Sequence, residues 1–474
     1  MNQIDQQIGY KIKSKRKKLG ITQAKLSKKL SISPAYLNLM ENGKRKIDLD
    51  LLVKMANELN IDVSDISKKN DTNLYQNLMD LLGDNLFENL DITNFDVKEL
   101  INTNPSIAKA LVKLGDNYKK KNLDIVSKVE NISGKFIDSR KNSFPGEVVA
   151  DFIQENENYF SKLEDFASNL FNKIQTNNRV GYSSICEYLL SKHKIEVKDV
   201  VPDENKPFTK QYDDIKKIFL VSDYLNLETK KLYAGAHVAQ LEASHIVDEY
   251  LNTFSFPSEE SKKLSKVALL NYVGAAIIMP YKPFFEECIK QRYDVELLQN
   301  TFAVSFEQVA HRLTCLQNPK MKGIPFHMLR ADVAGNISKR FSLSGIEIPR
   351  YGGACPRWNI YKAFTMPGKI NAAVSKMSNG EKYVCIARTV EKGIGKHGME
   401  KTLLSIGLGC QVKYAKDFVY ADSLNLNDKK TETPIGVNCR TCDRMDCQQR
   451  AFPPLHKKFD IDLNKRGISV YVAD

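Results

Sequence analysis

The stretch from Ile21 to Lys46, ITQAKLSKKLSISPAYLNLMENGKRK, constrains the fold more than any other part of the chain. Thr22 is a good helix N-cap, because its hydroxyl can accept a backbone N–H that the first turn leaves unpaired. Leu26 and Leu30 then fall on one helix face with the small Ser27 beside them, and this short helix ends at Ser-Ile-Ser. The next helix opens with Ser33 as N-cap and Pro34 at the first helical position, where a missing N–H costs nothing. It runs through AYLNLMEN and stops at Gly43, which adopts a left-handed cap easily. Two short helices therefore meet across a tight turn. Leu26, Leu30, Ile32, Leu37 and Met40 form their shared apolar seam, which leaves Ala35, Asn38 and Leu39 outward, with Tyr36 beside them and Lys44, Arg45 and Lys46 just beyond.

Base edges and phosphates suit such a face, and the charge agrees. The first 66 residues hold 13 Lys/Arg against 7 Asp/Glu, so +6 of the chain's formal +13 sits there. Excess Lys and Arg concentrate polyanions of any sequence, so charge alone does not choose between DNA, RNA and an anionic cofactor. The segment resembles the helix-turn-helix of the phage-repressor (Xre) family: Thr22-Gln23, Ser33-Pro34, Glu41 and Gly43 match its pattern, and Ser27 stands where the family usually has Ala. The resemblance implies double-stranded DNA as partner, with contacts from Thr22, Gln23, Ser33, Pro34, Ala35, Tyr36, Asn38, Leu39, Lys44 and Arg45. Gln23 would touch backbone phosphates and the second helix would read bases, a homodimer binding a palindromic operator.

The length of 474 residues suits roughly three domains. The expected fold class is multidomain: an all-α helix-turn-helix N-terminus (1–66), a helical connector able to form a dimer (67–142), an α-rich middle domain with a small sheet (143–320), and an α+β C-terminal domain (321–474). In the middle domain, VVADFIQENENYFSKLEDFASNLF and TKKLYAGAHVAQLEASHIVDEYL read as amphipathic helices and KKIFLV as a strand. After Lys322, Gly-punctuated period-two segments favour strands and turns. The N-terminus has no apolar signal region, and the longest apolar run, Val267 to Pro280, is interrupted by Asn271 and is shorter than the ~20 residues of a membrane span. The expectation is a cytoplasmic protein without a membrane.

The helix starting at Ala236-His237, together with FPGEVVADFI and NYFSKLEDFA, resembles the metallopeptidase-like domain found beside some Xre repressors. Active members need His-Glu-x-x-His, two imidazoles to hold zinc and a Glu to deprotonate water. Here Val238 replaces the base and Leu241 the second ligand, while His237, Glu242 and His245 are expected near each other on the one helix, at a spacing that puts no carboxylate in the base position. The domain is expected to be inactive and the chain to have no catalytic residues. A regulatory zinc metallopeptidase paired with the helix-turn-helix is the competing reading.

Near the C-terminus, GVNCRTCDRMDCQQR places Cys439, Cys442 and Cys447 in a C-x2-C-x4-C loop, and Cys355 in YGGACPRWN is the best fourth ligand. Four thiolates suit either a closed zinc site or an iron–sulfur cluster. The other five of the nine cysteines are assigned no role: Cys186, Cys288 and Cys315 sit in helical apolar patterns and read as ordinary buried thiols, and Cys385 and Cys410 lie in strand-like runs.

From Ser143 onward the chain resembles the short-chain fatty acyl transcriptional regulators, which include activators and repressors of propionate and glyoxylate-cycle genes. The resemblance rests on NYVGAAIIMPY, RYDVELL, FAVSFEQVAHRLTCLQNP, GIPFHMLRADVAGNISKRFS, YGGACPRWNIYKAF and TPIGVNCRTCDRMDCQQRAFPPL. It implies control of short-chain acyl metabolism, an acyl-CoA or CoA effector, and in some members a 4Fe-4S cluster on cysteines matching Cys355, Cys439, Cys442 and Cys447. Coenzyme A carries a diphosphate and a 3′-phosphate, so its pocket needs cations beside an apolar slot. Arg312, Arg330, Lys339, Arg340 and Arg350 are candidates for the phosphates, and Tyr233, Tyr272 and Tyr281 for the acyl end.

Overall fold

The structure is a computed structural model. It describes residues 21–30, 32–41, 72–82, 94–115, 145–203, 208–349, 354–393, 401–440 and 444–453, with scattered single positions that include Ile12, Arg16, Arg45, Met55 and Cys442. Gly43, Lys44, Lys46 and Arg350 lie outside the described residues. The chain divides into two compact units, residues 1–128 with 452–461 and residues 129–451 with 462–474.

In the first unit the two capped helices form as their sequence dictates. Helix α1 spans Gln23–Lys29 and α2 Pro34–Glu41. The Thr22 hydroxyl accepts the Lys25 N–H at 3.2 Å, and the Ser33 hydroxyl accepts the Tyr36 N–H at 3.1 Å. Leu26, Leu30, Leu37 and Met40 are buried with Ile12 and Met55, and Ile32 packs half-buried against them. Fully burying each such side chain contributes about 1.5–3 kcal/mol, the main reason so short a pair holds together. Helices α3 (Thr72–Leu82) and α4 (Asn94–Thr103) build a separate cluster from Leu74, Leu78, Val97 and Ile101.

The second unit opens on helices. The run expected as one amphipathic helix from Val148 is two, α5 (Pro145–Glu155) and α6 (Ser161–Ile174), because Glu157 and Asn158 turn left-handed between them at φ 51° and 52°. Helix α7 (Tyr182–His193) leads into the small sheet, in the order β1 (Glu196–Val200), β3 (Ile218–Ser222), β2 (Lys210–Asp213), with β1 parallel and β2 antiparallel to β3. Six helices follow: α8 (Leu227–Glu242), α9 (Ser244–Asn252), α10 (Glu259–Ile278), α11 (Tyr281–Lys290), α12 (Val295–Phe302) and α13 (Phe306–Thr314). Helices α8 and α10 cross at two glycines. A Cβ on Gly274 would stand 2.8 Å from the Ala236 nitrogen, so only glycine permits this approach.

A short hairpin, β4 (Gln317–Asn318) with β5 (Met321–Lys322), introduces a six-stranded sheet. Its strands are β6 (His327–Asp332), β7 (Ile337–Ser342), β8 (Asn371–Lys376), β9 (Lys382–Lys392), β10 (Thr402–Gln411) and β11 (Glu432–Pro434), with the short helix α14 (Asn359–Lys362) before β8. Their order is β11-β8-β9-β10-β6-β7, antiparallel except for the β11–β8 pair. Phe306, Leu313 and Leu316 share one core with Phe326, Ile386, Leu408 and Phe418, so the core takes residues from both sides of position 320. The architecture is multidomain, with a helical N-terminus, a helical middle and a mixed sheet beyond it.

Among the described residues no single helix is long and apolar enough to cross a membrane. Helices α10 and α11 have the length only together, and they meet at a 65° bend with Leu269, Val273, Ile277 and Phe284 buried in the protein core.

Candidate functional sites

On the face of the first unit expected to meet DNA, Ala35, Asn38 and Leu39 are exposed and Tyr36 is half-buried, with the Arg45 guanidinium 5.0 Å from its ring centre. Beneath them lies a polar network. Arg16 donates to both carboxylate oxygens of buried Glu41, at 2.6 and 2.8 Å, and to the Ile21 carbonyl. The Gln23 amide donates to Glu41 at 2.7 Å and to Asn38 at 3.3 Å. Gln23 is thereby oriented at the mouth of the turn and linked to the exposed face of α2. Arg16 escaped the sequence reading, since its partner is 25 residues away; the available signal was a carboxylate, Glu41, inside an otherwise apolar seam.

The helix expected to carry a vestigial peptidase centre is interrupted. Helix α8 ends at Glu242, Ala243 breaks it, and His245 is exposed on α9, so His237, Glu242 and His245 do not share one helix. His237 is buried, flat against Phe219 at 4.4 Å and 3°, with Tyr212 also 4.4 Å away, and its Nε2 has no hydrogen-bond partner. Burial, aided by the Lys210 charge, pushes its pKa down to about 4. Glu242 accepts from Lys192 at 2.8 Å and the Tyr188 hydroxyl at 3.0 Å, and meets His193 Nε2 at 2.7 Å. His237 is thus a packed, neutral imidazole at neutral pH, and Glu242 is a carboxylate held by three side chains.

Between helices α5, α8, α10 and α13 and strands β6, β7 and β9 lies a cavity of about 550 Å³. The helical wall is largely apolar: Val149, Ile153, Leu232, Tyr233, Leu264, Val267 and Tyr272 face it. Its four cations, Arg330, Lys339, Arg340 and Lys392, all stand on the strands. Glu307 lies among three of them: its carboxylate is 2.9 Å from Arg330, 3.7 Å from Lys339 and 2.7 Å from Lys392. Burial would raise its pKa, but Lys339, Lys392 and Arg330 together hold it down to about 2. Arg340 pairs with Glu147 at 2.5 Å, while its Nε has no hydrogen-bond partner. Lys392 and Glu307, on β9 and α13, were not expected from the sequence.

Two of the residues expected to bind an acyl-CoA, Arg312 and Tyr281, do not line this cavity. Arg312 is 1% exposed and ion-paired with Glu164 at 2.5 and 2.7 Å, its Nε donating to the Met279 carbonyl, so its charge is already matched inside the protein. Tyr281 is buried, donating to the Met321 carbonyl and accepting the Asn318 N–H. Tyr272 does reach the wall, but its hydroxyl donates to Glu164. Arg350 lies outside the described residues.

The cysteine loop is held by the turn that leads into α14. The Cys355 N–H donates to the Val437 carbonyl at 2.9 Å, and the Trp358 indole donates to the Gly436 carbonyl at 2.8 Å. Gly436 makes room for sulfur: a Cβ there would stand 2.7 Å from the Cys442 Sγ. Arg450 gathers the loop by donating to the carbonyls of Cys439 at 2.5 Å and Cys442 at 2.8 Å, and the Ala451 N–H donates to the Cys439 sulfur at 3.4 Å. Burial pushes the Cys355 and Cys442 thiols up, against the backbone amides of Gly436 and Arg357 at the first and Arg444 at the second. Among the described residues no three His, Cys, Asp or Glu side chains are gathered to hold a metal ion. Of the other cysteines, Cys288, Cys315, Cys385 and Cys410 are buried and Cys186 is half-buried.

Comparison with known proteins agrees with this layout. Residues 12–66 match a helix-turn-helix family, residues 192–314 the IrrE N-terminal-like domain, and residues 315–471 the C-terminal domain of the short-chain fatty acyl coenzyme A regulators. The chain is 32% identical over 468 residues to the HTH-type transcriptional regulator RamB of Mycobacterium tuberculosis, covering 98% of each. It is 32% identical over 464 residues to the propionyl-CoA carboxylase regulator of Cereibacter sphaeroides, again covering 98% of each. It is 30% identical to the HTH-type transcriptional regulator PrpR of Mycobacterium tuberculosis over 96% of this chain and 93% of that one. A solved Mycobacterium tuberculosis transcriptional regulator superimposes with a TM-score of 0.65 at 32% identity, covering 69% of this chain and 99% of that one. The chain therefore belongs to the short-chain fatty acyl coenzyme A regulators, a family of helix-turn-helix transcriptional regulators.

Proposed function

We propose that this regulator controls genes of short-chain fatty acid metabolism, propionate in particular, as a homodimer whose affinity for a palindromic operator changes when an acyl-CoA binds the cavity of the second unit. The observation that carries the reading is the division of that cavity into a largely apolar helical wall, with Glu147 and Glu307 as its carboxylates, and a strand wall bearing Arg330, Lys339, Arg340 and Lys392. A short acyl chain and pantetheine fit the first, and a phosphorylated nucleotide the second. Binding alters DNA affinity only if the ligand discriminates between two conformations of the protein. Titration of propionyl-CoA into the full chain, followed calorimetrically, should give saturable binding that Arg330→Ala weakens at least tenfold. Absence of binding by every two- to four-carbon acyl-CoA contradicts the proposal.

Cys355, Cys439, Cys442 and Cys447 are the residues that would hold a 4Fe-4S cluster. Four thiols, the sulfur-sized space at Gly436 and the N–H of Ala451 on the Cys439 sulfur suit that donor chemistry. When bound, the cluster supplies a redox-active centre sensitive to its surroundings. The chain's own contribution is to hold the loop: Arg450 ties the carbonyls of Cys439 and Cys442, and the Trp358 indole fixes Gly436. No catalytic role is assigned to the IrrE-like region, where Val238 stands in place of the general base.

A further inference from the structure

The cation cluster of the cavity contains a difficulty that its own geometry resolves. Arg330 and Lys339 are directly opposite each other in the β6–β7 register. Like charges so placed repel, and Lys392 from β9 converges on the same point. One group offsets part of this charge. Glu307, 7% exposed, sits in the first turn of α13 with its carboxylate on Arg330, Lys339 and Lys392 at once. The helix start is fixed by a capping box between Ser305 and Gln308, so the carboxylate is delivered from a rigid frame. Three cations against one carboxylate leave this point of the wall net positive, with Arg340 beside it on the same strand.

We propose that Glu307 is a resident counter-anion: it keeps Arg330, Lys339 and Lys392 assembled before ligand binds, and it yields them to a phosphoryl group of the ligand, so that it lowers affinity for phosphorylated ligands and sharpens the difference between the two states. A carboxylate and a phosphate oxygen take the same donors, so one can replace the other without rebuilding the strands. The exchange makes ligand binding compete with an internal ion pair. This inference rests on the cavity being the effector site.

The test compares Glu307→Gln with the unaltered full chain, using propionyl-CoA, propionyl-pantetheine and inorganic pyrophosphate as probes. Removing the internal competitor should tighten propionyl-CoA and pyrophosphate by about fivefold or more, leaving propionyl-pantetheine unchanged, because that probe lacks phosphates. Glu307→Asp, which keeps the charge but shortens its reach, should fall between the two and serves if the glutamine variant does not fold. Equal or weaker propionyl-CoA binding by a folded Glu307 variant overturns the proposal while leaving the effector site standing. If the unaltered chain binds none of the three probes, it is the effector reading that fails.

Discussion

Arg312 and Glu164 meet as a two-bond ion pair inside the second unit, their side chains 1% and 4% exposed, with the Tyr272 hydroxyl on the same carboxylate. The guanidinium also lies 5.8 Å from the ring centres of both Tyr272 and Tyr281. An arginine that the sequence offers to a ligand is thus part of the frame behind the cavity. Breaking a buried pair leaves one charge uncompensated, so Arg312→Ala should cost about 3–5 kcal/mol of unfolding free energy, measured by denaturant titration without ligand. A variant of normal stability that binds acyl-CoA poorly would return Arg312 to the ligand.

His237 gives the second unit a pH dependence. Its folded pKa, about 4, lies below the ordinary value of 6.5, so the unfolded chain binds the proton first. The stability it contributes is complete above about pH 6.5 and is lost as pH falls from there through 4. At pH 5 the loss from this one group is about 2 kcal/mol. His237→Phe should therefore match the unaltered chain at pH 7.5 and exceed it at pH 5. Thermal melts at the two pH values check this, and an equal acid sensitivity in both proteins rejects it.

In the first unit two substitutions should separate reading from folding. Asn38→Ala, on the exposed face of α2, should weaken operator binding by about 1–3 kcal/mol without lowering the melting temperature. Glu41→Ala strands the Arg16 guanidinium and should lower the stability of the unit by about 3–5 kcal/mol, taking DNA binding with it. Footprinting paired with circular dichroism distinguishes them.

The helix-turn-helix was legible because its signals are local: Thr22 and Ser33 cap the helices they precede, and the seam repeats at helical spacing. The breaks after Glu155 and at Ala243 were not, since neither carries Gly or Pro; Asn158 turns left-handed, and the tertiary packing decides where the helix stops. The cavity was half legible. Arg330, Lys339 and Arg340 lie on adjacent paired strands within one stretch of sequence, whereas Lys392 and Glu307 join them only through the order of the six-stranded sheet and the docking of α13. The ion pair of Arg312 was not legible, because nothing near it in sequence announces a partner 148 residues away.

The cysteine loop yields a comparison within one molecule. After anaerobic purification, Cys442→Ser should lose iron and its visible absorption together, while Cys186→Ser, on α7, should keep both. Iron content unchanged by Cys442→Ser would remove this loop from the cluster.

The central claim, that a ligand in the second unit governs DNA binding by the first, is tested most directly by the mobility shift of the promoter of the chain's own gene with and without saturating propionyl-CoA. The expected result is a change in apparent operator affinity of at least fivefold that Arg330→Ala abolishes. The same affinity at every acyl-CoA concentration, with protein shown to be ligand-bound, would contradict it.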